Sequence, residues 1–176
     1  MKKLLLTLLI IFPVSVFAFT KQGFYTIDDT GWTASSTPSG DVFVCSDCGD
    51  LVQVLIAYGA DVGSDSQYKN NEQFMAAFST DQKKREFAEM LVKGALPMEG
   101  FDVNIIRVNF GNIGYLKALQ YSASVKMPDG NESMETTLIA LHKNRIIKFT
   151  ANFYKGRLSG ESAIKLDKFH KSIKLL

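Results

Sequence analysis

Between Phe101 and Tyr154 apolar and polar positions alternate with a period of two, interrupted only by short turn-forming stretches. That pattern predicts three or four consecutive antiparallel strands, a meander on which the rest of the chain is arranged. In the first strand Phe101, Val103 and Ile105 share one face and Ile106 and Val108 the other, with Gly111–Gly114 as the turn. The second strand alternates cleanly: Tyr115, Leu119, Tyr121, Ala123, Val125 and Met127 on one side, Gln120, Ser122, Ser124 and Lys126 on the other. One face is therefore expected beneath a helix, and the Gln120–Lys126 face is expected to be wetter and available to a partner. Pro128-Asp129-Gly130-Asn131 marks a turn before a third strand, Ser133–His142. Lys143-Asn144 fits a tight hairpin before the fourth, Arg145–Tyr154, which buries Ile147, Phe149, Ala151 and Phe153.

Upstream, Gly23–Ile27 reads as a short strand and Asp28–Gly31 as a turn, with Trp32 just beyond it. The Ser, Thr, Pro and Gly of 34–40 read as a loop. Asp41–Cys45 and Leu51–Tyr58 are strand patterns, the second apolar enough to be buried on both faces. After a polar stretch over 60–70 the period lengthens to about 3.6. Phe74, Met75 and Phe78 then mark a short helix. Ser79-Thr80-Asp81-Gln82 fits a capping box for a second helix over about 81–93, whose apolar face is Phe87, Ala88, Leu91 and Val92 and which Gly94 and Pro97 end. Ser159 caps a final helix, with Glu161 in its first turn and Ala163, Leu166, Phe169 or His170, and Ile173 along one side.

Residues 1–18 change the charge account. Lys2 and Lys3, an apolar run over 4–16 and small Ala18 form a signal-peptide pattern with cleavage expected after Ala18, so 1–18 is a signal peptide and 19–176 a single globular domain. The apolar run is shorter than a membrane span and holds Pro13. Without that segment Lys plus Arg falls from 20 to 18, equal to the 18 acids, and the mature chain is formally neutral. A nucleic-acid or anionic-membrane role loses its electrostatic footprint. The compartment expected is the periplasm, or further secretion.

That compartment decides how the two cysteines are read. Cys45-x-x-Cys48 lacks a following helix that would lower a thiol pKa, and Asp47 and Asp50 would raise it. No second Cys/His pair completes a zinc site. A structural disulfide is the expected state. His142 and His170 accompany no nucleophile motif and read as structural. Asp28-Asp29 and Asp61 with Asp65 lack the ligand ladder of a calcium loop and read as turns. No catalytic residue, metal or cofactor is expected. Thirteen Phe, six Tyr and one Trp exceed what a core of this size needs. A minority is expected at a binding face, with Trp32 as the candidate exposed anchor.

The order of elements resembles the PsbP-like fold, the α/β/α sandwich of the photosystem II extrinsic protein that bacterial exported relatives and type VI effector chaperones share. The resemblance rests on Gly31-Trp32, on Leu51-Val52-Gln53-Val54 and on the mid-chain helices. It extends to Gly114-Tyr115-Leu116-Lys117-Ala118 and the terminal Phe169-His170-Lys171-Ser172-Ile173-Lys174, and so covers nearly the whole mature chain. It implies a non-enzymatic, protein-binding or accessory domain and carries over no active-site residue.

The fold expected is α+β: an antiparallel sheet of five to seven strands covered by helices near 71–94 and 160–175, with a cystatin-like or nuclear-transport-factor-like curved sheet as the alternative. The function expected is an exported, non-enzymatic binding or accessory protein of the bacterial cell envelope. The alternatives are an inhibitor or immunity protein against a secreted enzyme, and a carrier of a small apolar ligand. The surface expected for a protein partner is Trp32, Phe43, Gln120, Ser122, Ser124 and Tyr154. If helices cover both faces of the meander, that surface falls to the segments around Trp32 and Cys48. The sequence sets neither the partner's identity nor the oligomeric state.

Overall fold

A computed structural model describes residues 18–48, 52–63, 66–95 and 100–176. Most of the signal segment, Leu51, Asp65 and Pro97 lie outside the described residues. The meander is the heart of a seven-stranded antiparallel sheet, built in the order β3 (Trp32–Thr37), β4 (Gly40–Cys45), β5 (Gln53–Asp61), β9 (Arg145–Tyr154), β8 (Glu132–His142), β7 (Leu116–Lys126) and β6 (Asp102–Ile113). A separate three-stranded sheet joins β1 (Ala18–Lys21), β2 (Tyr25–Asp28) and β10 (Lys174–Leu175). Three helices complete the fold: α1 (Asn71–Ala76), α2 (Asp81–Ala95) and α3 (Gly160–Lys171).

The large sheet separates two cores. On one face α1 and α2 bury Phe74, Met75, Phe78, Ala88 and Val92 against Leu119, Tyr121, Ala123, Ile139 and Leu141. This is the odd-numbered side of β7, the side expected beneath a helix. On the other face α3 and the small sheet bury Tyr25, Ile27, Phe169 and Ile173 against Phe43, Val54, Ile56, Leu138, Ile147 and Phe149. Neither cover is complete. The first reaches β6, β7 and β8, and under the second Ser122 and Thr136 remain only partly buried.

Several sequence expectations shift for physical reasons. The stretch over 34–40 is an edge strand rather than a loop, because Ser and Thr suit a strand exposed on its outer side and Pro38-Ser39 close a two-residue hairpin to Gly40. Trp32 accordingly begins a strand. β5 is buried on one face only, with Leu55 and Ala57 half-buried on the other. The first meander strand runs through Gly111 to Ile113 and turns at Gly114, whose φ is +56°, leaving Tyr115 in the turn and 71% exposed. A bulge between Ile105 and Arg107 puts Ile105 and Val108 on one face and leaves Ile106 exposed. The second helix is capped by Thr80, which accepts from Lys83 N, so the box proposed on Ser79 and Gln82 does not form; Gln82 instead donates to Glu86. Asn70 and Ser159 cap α1 and α3, and Lys143-Asn144 turns with φ of 49° and 57°.

Candidate functional site

The chain's single Trp opens β3 at the sheet edge, where the indole stacks on Phe169 of α3 with ring centroids 4.2 Å apart. Three features hold it there. The turn from Asp29 accepts Trp32 N at 2.9 Å, and Ser46 N donates to Gly31 O at 3.0 Å. Cys45 and Cys48 form a disulfide with Cα atoms 5.6 Å apart, buried with Val52 against Trp32, Phe153, Leu158 and Leu166. Finally, α3 seats on that turn: buried Ser162 donates its hydroxyl to Cys48 O at 2.9 Å, and Lys165 Nζ reaches Asp47 O at 3.2 Å. A cleft of about 300 Å³ opens beside the indole, floored by Trp32 and Phe169 and rimmed by Asp28, Asp47, Lys165 and Lys168. Asp28 is held below the usual carboxylate range by its hydrogen bonds to Thr30, so it stays ionised on the rim.

At the other end of the β3–β4 hairpin, Asp41 is 2% exposed and accepts three hydrogen bonds: Ser36 Oγ at 2.6 Å, Tyr25 OH at 2.8 Å and Lys21 Nζ at 3.1 Å. It ties β1 and β2 of the small sheet to β4 of the large one. Burial, then the bond to Asp41, pushes the Tyr25 phenol well above its ordinary value, so the phenol keeps its proton and donates it to Asp41 in a hydrogen bond. A second cluster on the opposite face joins Tyr121 OH and Thr137 Oγ1 to Glu135, each at 2.7 Å, and Thr137 to Thr150 at 3.0 Å. Every buried polar side-chain atom among the described residues has a partner.

The histidines are likewise engaged. His142 is 5% exposed, its Nδ1 lies 3.2 Å from Tyr58 OH, and burial followed by Lys143 lowers its pKa. It borders a depression of about 510 Å³ with Tyr115 and Glu72. The His170 Nε2 lies 2.9 Å from Asn112 O, and burial outweighs that bond to lower its pKa. Among the described residues neither ring hydrogen-bonds to a Ser, Thr or Cys side chain. Asp28 and Asp61 accept from the backbone amides of Thr30 and Gly63, two residues on, which is turn capping, and Asp29 accepts from Phe19 N of β1. No three His, Cys, Asp or Glu side chains converge among the described residues.

The six residues expected at a partner surface are not brought together. Trp32 is partly exposed at the edge, but Phe43 is fully buried beneath it, edge-on to Phe169 at 5.1 Å; the correction is that Phe43 supports the Trp32 end and cannot touch a partner. Ser124 is buried too, donating to Glu132, so it also leaves the surface. Ser122, half-buried, bonds Thr136 at 3.1 Å, and half-buried Gln120 lines a groove under α3 with Thr136. Tyr154 lies on the other face, with the Arg157 guanidinium 5.6 Å over its ring. Sequence reasoning missed Phe169, Lys165 and Lys168. Phe169 was visible on the apolar side of α3, but nothing in the spacing tells that α3 crosses back to Trp32.

No family model matches the chain. No curated protein matches it in sequence. Its fold does match solved structures. Cyanobacterial PsbP from Synechocystis sp. PCC 6803 is similar with a TM-score of 0.53 and 14% identity over 91% of each chain. A protein from Bacteroides thetaiotaomicron VPI-5482 is similar with a TM-score of 0.51 and 11% identity over 90% of this chain, which spans only 48% of that one. The likeness is one of fold: the chain is PsbP-like in architecture, α+β with an antiparallel sheet between two layers.

Proposed function

We propose that this chain is an exported accessory protein of the cell envelope that holds a partner protein at its Trp32 end and runs no reaction of its own. The observation that carries the reading is the partly exposed indole, fastened by a disulfide turn, a β-turn and α3 beside an aromatic-floored cleft. Interfaces draw on rigid aromatic anchors of this kind, because little side-chain entropy is lost when they bind. The engagement of His142, His170 and Asp41 in structural contacts supports the absence of a reaction. Export rests on the signal pattern of residues 1–18, and predicts a mature protein beginning at Phe19.

The test is affinity capture from envelope extract with wild type and Trp32→Ala. A stoichiometric protein held by the first and lost by the second, at unchanged thermal stability, supports the reading; equal capture by both overturns it. Should the captured protein be an enzyme that loses activity in the complex, the accessory role takes its inhibitor form.

A second reading, carriage of a small apolar molecule, has one observation in its favour. A groove of about 230 Å³ runs between α3 and the sheet, lined by Leu138, Phe149, Phe153, Leu158 and Leu166. It falls below the roughly 300 Å³ at which ligand pockets usually begin. Co-purified lipid in native mass spectrometry would favour this reading.

A further inference from the structure

We propose that the partner binds as an added β-strand along the outer edge of β3, with one large apolar side chain seated in the cleft beside Trp32. The inference rests on the reading that this end docks a protein, and specifies how.

The two edges of the large sheet differ. The β6 edge is interrupted by the bulge after Ile105 and carries Asp102 and Arg107, which are devices that discourage edge pairing. The β3 edge has none of them. Its six residues are uncharged, contain no proline, and pair with β4 in unbroken register from Trp32↔Cys45 to Thr37↔Gly40. Among the described residues no strand pairs with its outer side.

The direction of its free backbone groups follows from one hydrogen bond. Cys45 N donates to Val52 O at 3.0 Å, toward β5, so Trp32↔Cys45 is a pair without mutual hydrogen bonds. In an antiparallel ladder these pairs alternate with bonded ones. Ala34 and Ser36 therefore aim N–H and C=O away from β4, as Trp32 does its C=O, while Trp32 N is already taken by Asp29 O. Water meets such a row in the free protein, and an extended backbone is the protein segment that matches it group for group.

Side-chain alternation then selects the occupant. Trp32, Ala34 and Ser36 face α3, and the cleft lies on that side at the Trp32 end. A residue of an added strand that pairs near Trp32 points into it. A second copy pairing antiparallel through its own β3 brings Ser35, Ser36, Thr37, Pro38 and Ser39 to that position, none of them a large apolar side chain that would cover the Trp32 and Phe169 rings at the cleft floor. The cleft calls for a foreign segment with a Leu- or Phe-sized side chain there.

The test uses synthetic peptides of six residues, alternating threonine and valine, with alanine, leucine or phenylalanine at one end valine position. Trp32 is the only tryptophan, so its emission reports occupation of the cleft. Saturable shifts are expected with leucine and phenylalanine, at least tenfold weaker with alanine, and at least tenfold weaker again when alternate peptide amides are N-methylated. Ala34→Pro, which removes an outward N–H and no β4 bond, should abolish binding. Should that variant not fold, the methylated peptides decide alone. Equal binding of the methylated peptides, or no shift with any peptide at millimolar concentration, overturns the proposal. A partner captured from extract equally by wild type and Ala34→Pro but lost by Trp32→Ala keeps the docking site and rejects the strand. A dimer that sedimentation detects and Ala34→Pro dissolves assigns the edge to a second copy and also rejects it.

Discussion

The two layers on the sheet are held by different physics. The α1/α2 layer is mainly an apolar contact: Phe74, Phe78, Ala88 and Val92 pack on β6, β7 and β8. Its polar ties to the sheet are Asn71, bonded to Lys117 O and Leu141 N, and Arg85 to Ile105 O. The α3/small-sheet layer is apolar too, yet it is fastened at fixed points. Asp41 takes Tyr25 and Lys21, Ser162 holds Cys48 O, and His170 meets Asn112 O. Apolar burial is non-directional, so it stabilises without setting orientation. Hydrogen bonds with buried partners fix position, because any displacement leaves a group unpaired. The layer that packs against Trp32 is thus tied by hydrogen bonds through both the small sheet and α3.

The sharpest test compares one aromatic from each layer. Phe169→Ala and Phe78→Ala each remove a ring that is 5% exposed or less, and each should cost about 3–5 kcal/mol in denaturant unfolding. The difference lies in the folded baseline. Phe169→Ala strips the ring stacked on Trp32 and should move its emission, whereas Phe78→Ala should leave the folded emission as it is. A shift in both would mean that the layers are coupled through the sheet.

Asp41→Ala comes next. It leaves the buried Tyr25 hydroxyl without its acceptor, about 1–3 kcal/mol, whereas the Ser36 hydroxyl lies on the exposed edge strand and can turn to water. Lys21 is half-exposed and returns to water, adding little. Asp41→Asn, which keeps an acceptor oxygen, should lose less. Equal losses would show that the charge rather than the bonding pattern matters. Replacing both Cys45 and Cys48 by Ala removes the closure of a four-residue loop, about 2 kcal/mol on the chain-entropy account. It should also weaken the hold on α3 through Ser162.

What the sequence made legible follows the same division. Strands with one buried face, the helix at Asn71, the cap at Ser159 and the hairpin at Lys143-Asn144 follow from local pattern, and the structure agrees with each. The small sheet was invisible apart from β2. β10 holds two residues, and its pairing of Lys174 and Leu175 with Thr26 and Tyr25 spans almost the entire chain, where no local signal reaches. β3 reads as a loop because Ser, Thr and Pro mark turns by composition, and an exposed edge strand lacks the apolar alternation that would show it as a strand. The Trp32 anchor was legible as an isolated aromatic beside a turn. Its cleft was not, since Phe169 and Lys168 arrive from more than a hundred residues away.

Acid provides the gentlest discrimination between the layers. The chain has two histidines, and both belong to the α3/small-sheet side: His170 on α3, and His142 against Tyr58, whose ring stacks with that of Tyr25. Burial lowers both pKa values in the folded state. The unfolded chain therefore takes up protons first, near pH 6.5. Stability should fall as pH drops below about 6.5 and level off once the folded-state values are passed. Carboxylates such as Asp28 and Glu132, held low by their hydrogen bonds to Thr30 and to Lys155, lose their contribution only at lower pH, through the carboxylate range. Denaturant unfolding at pH 7.5 and 5.5 isolates the histidines. Wild type should be weaker at 5.5, and His142→Gln with His170→Gln should remove most of the difference. If the double variant keeps the full difference, the sensitivity does not arise from the fastened layer, and the contrast drawn between the two layers loses its electrostatic part.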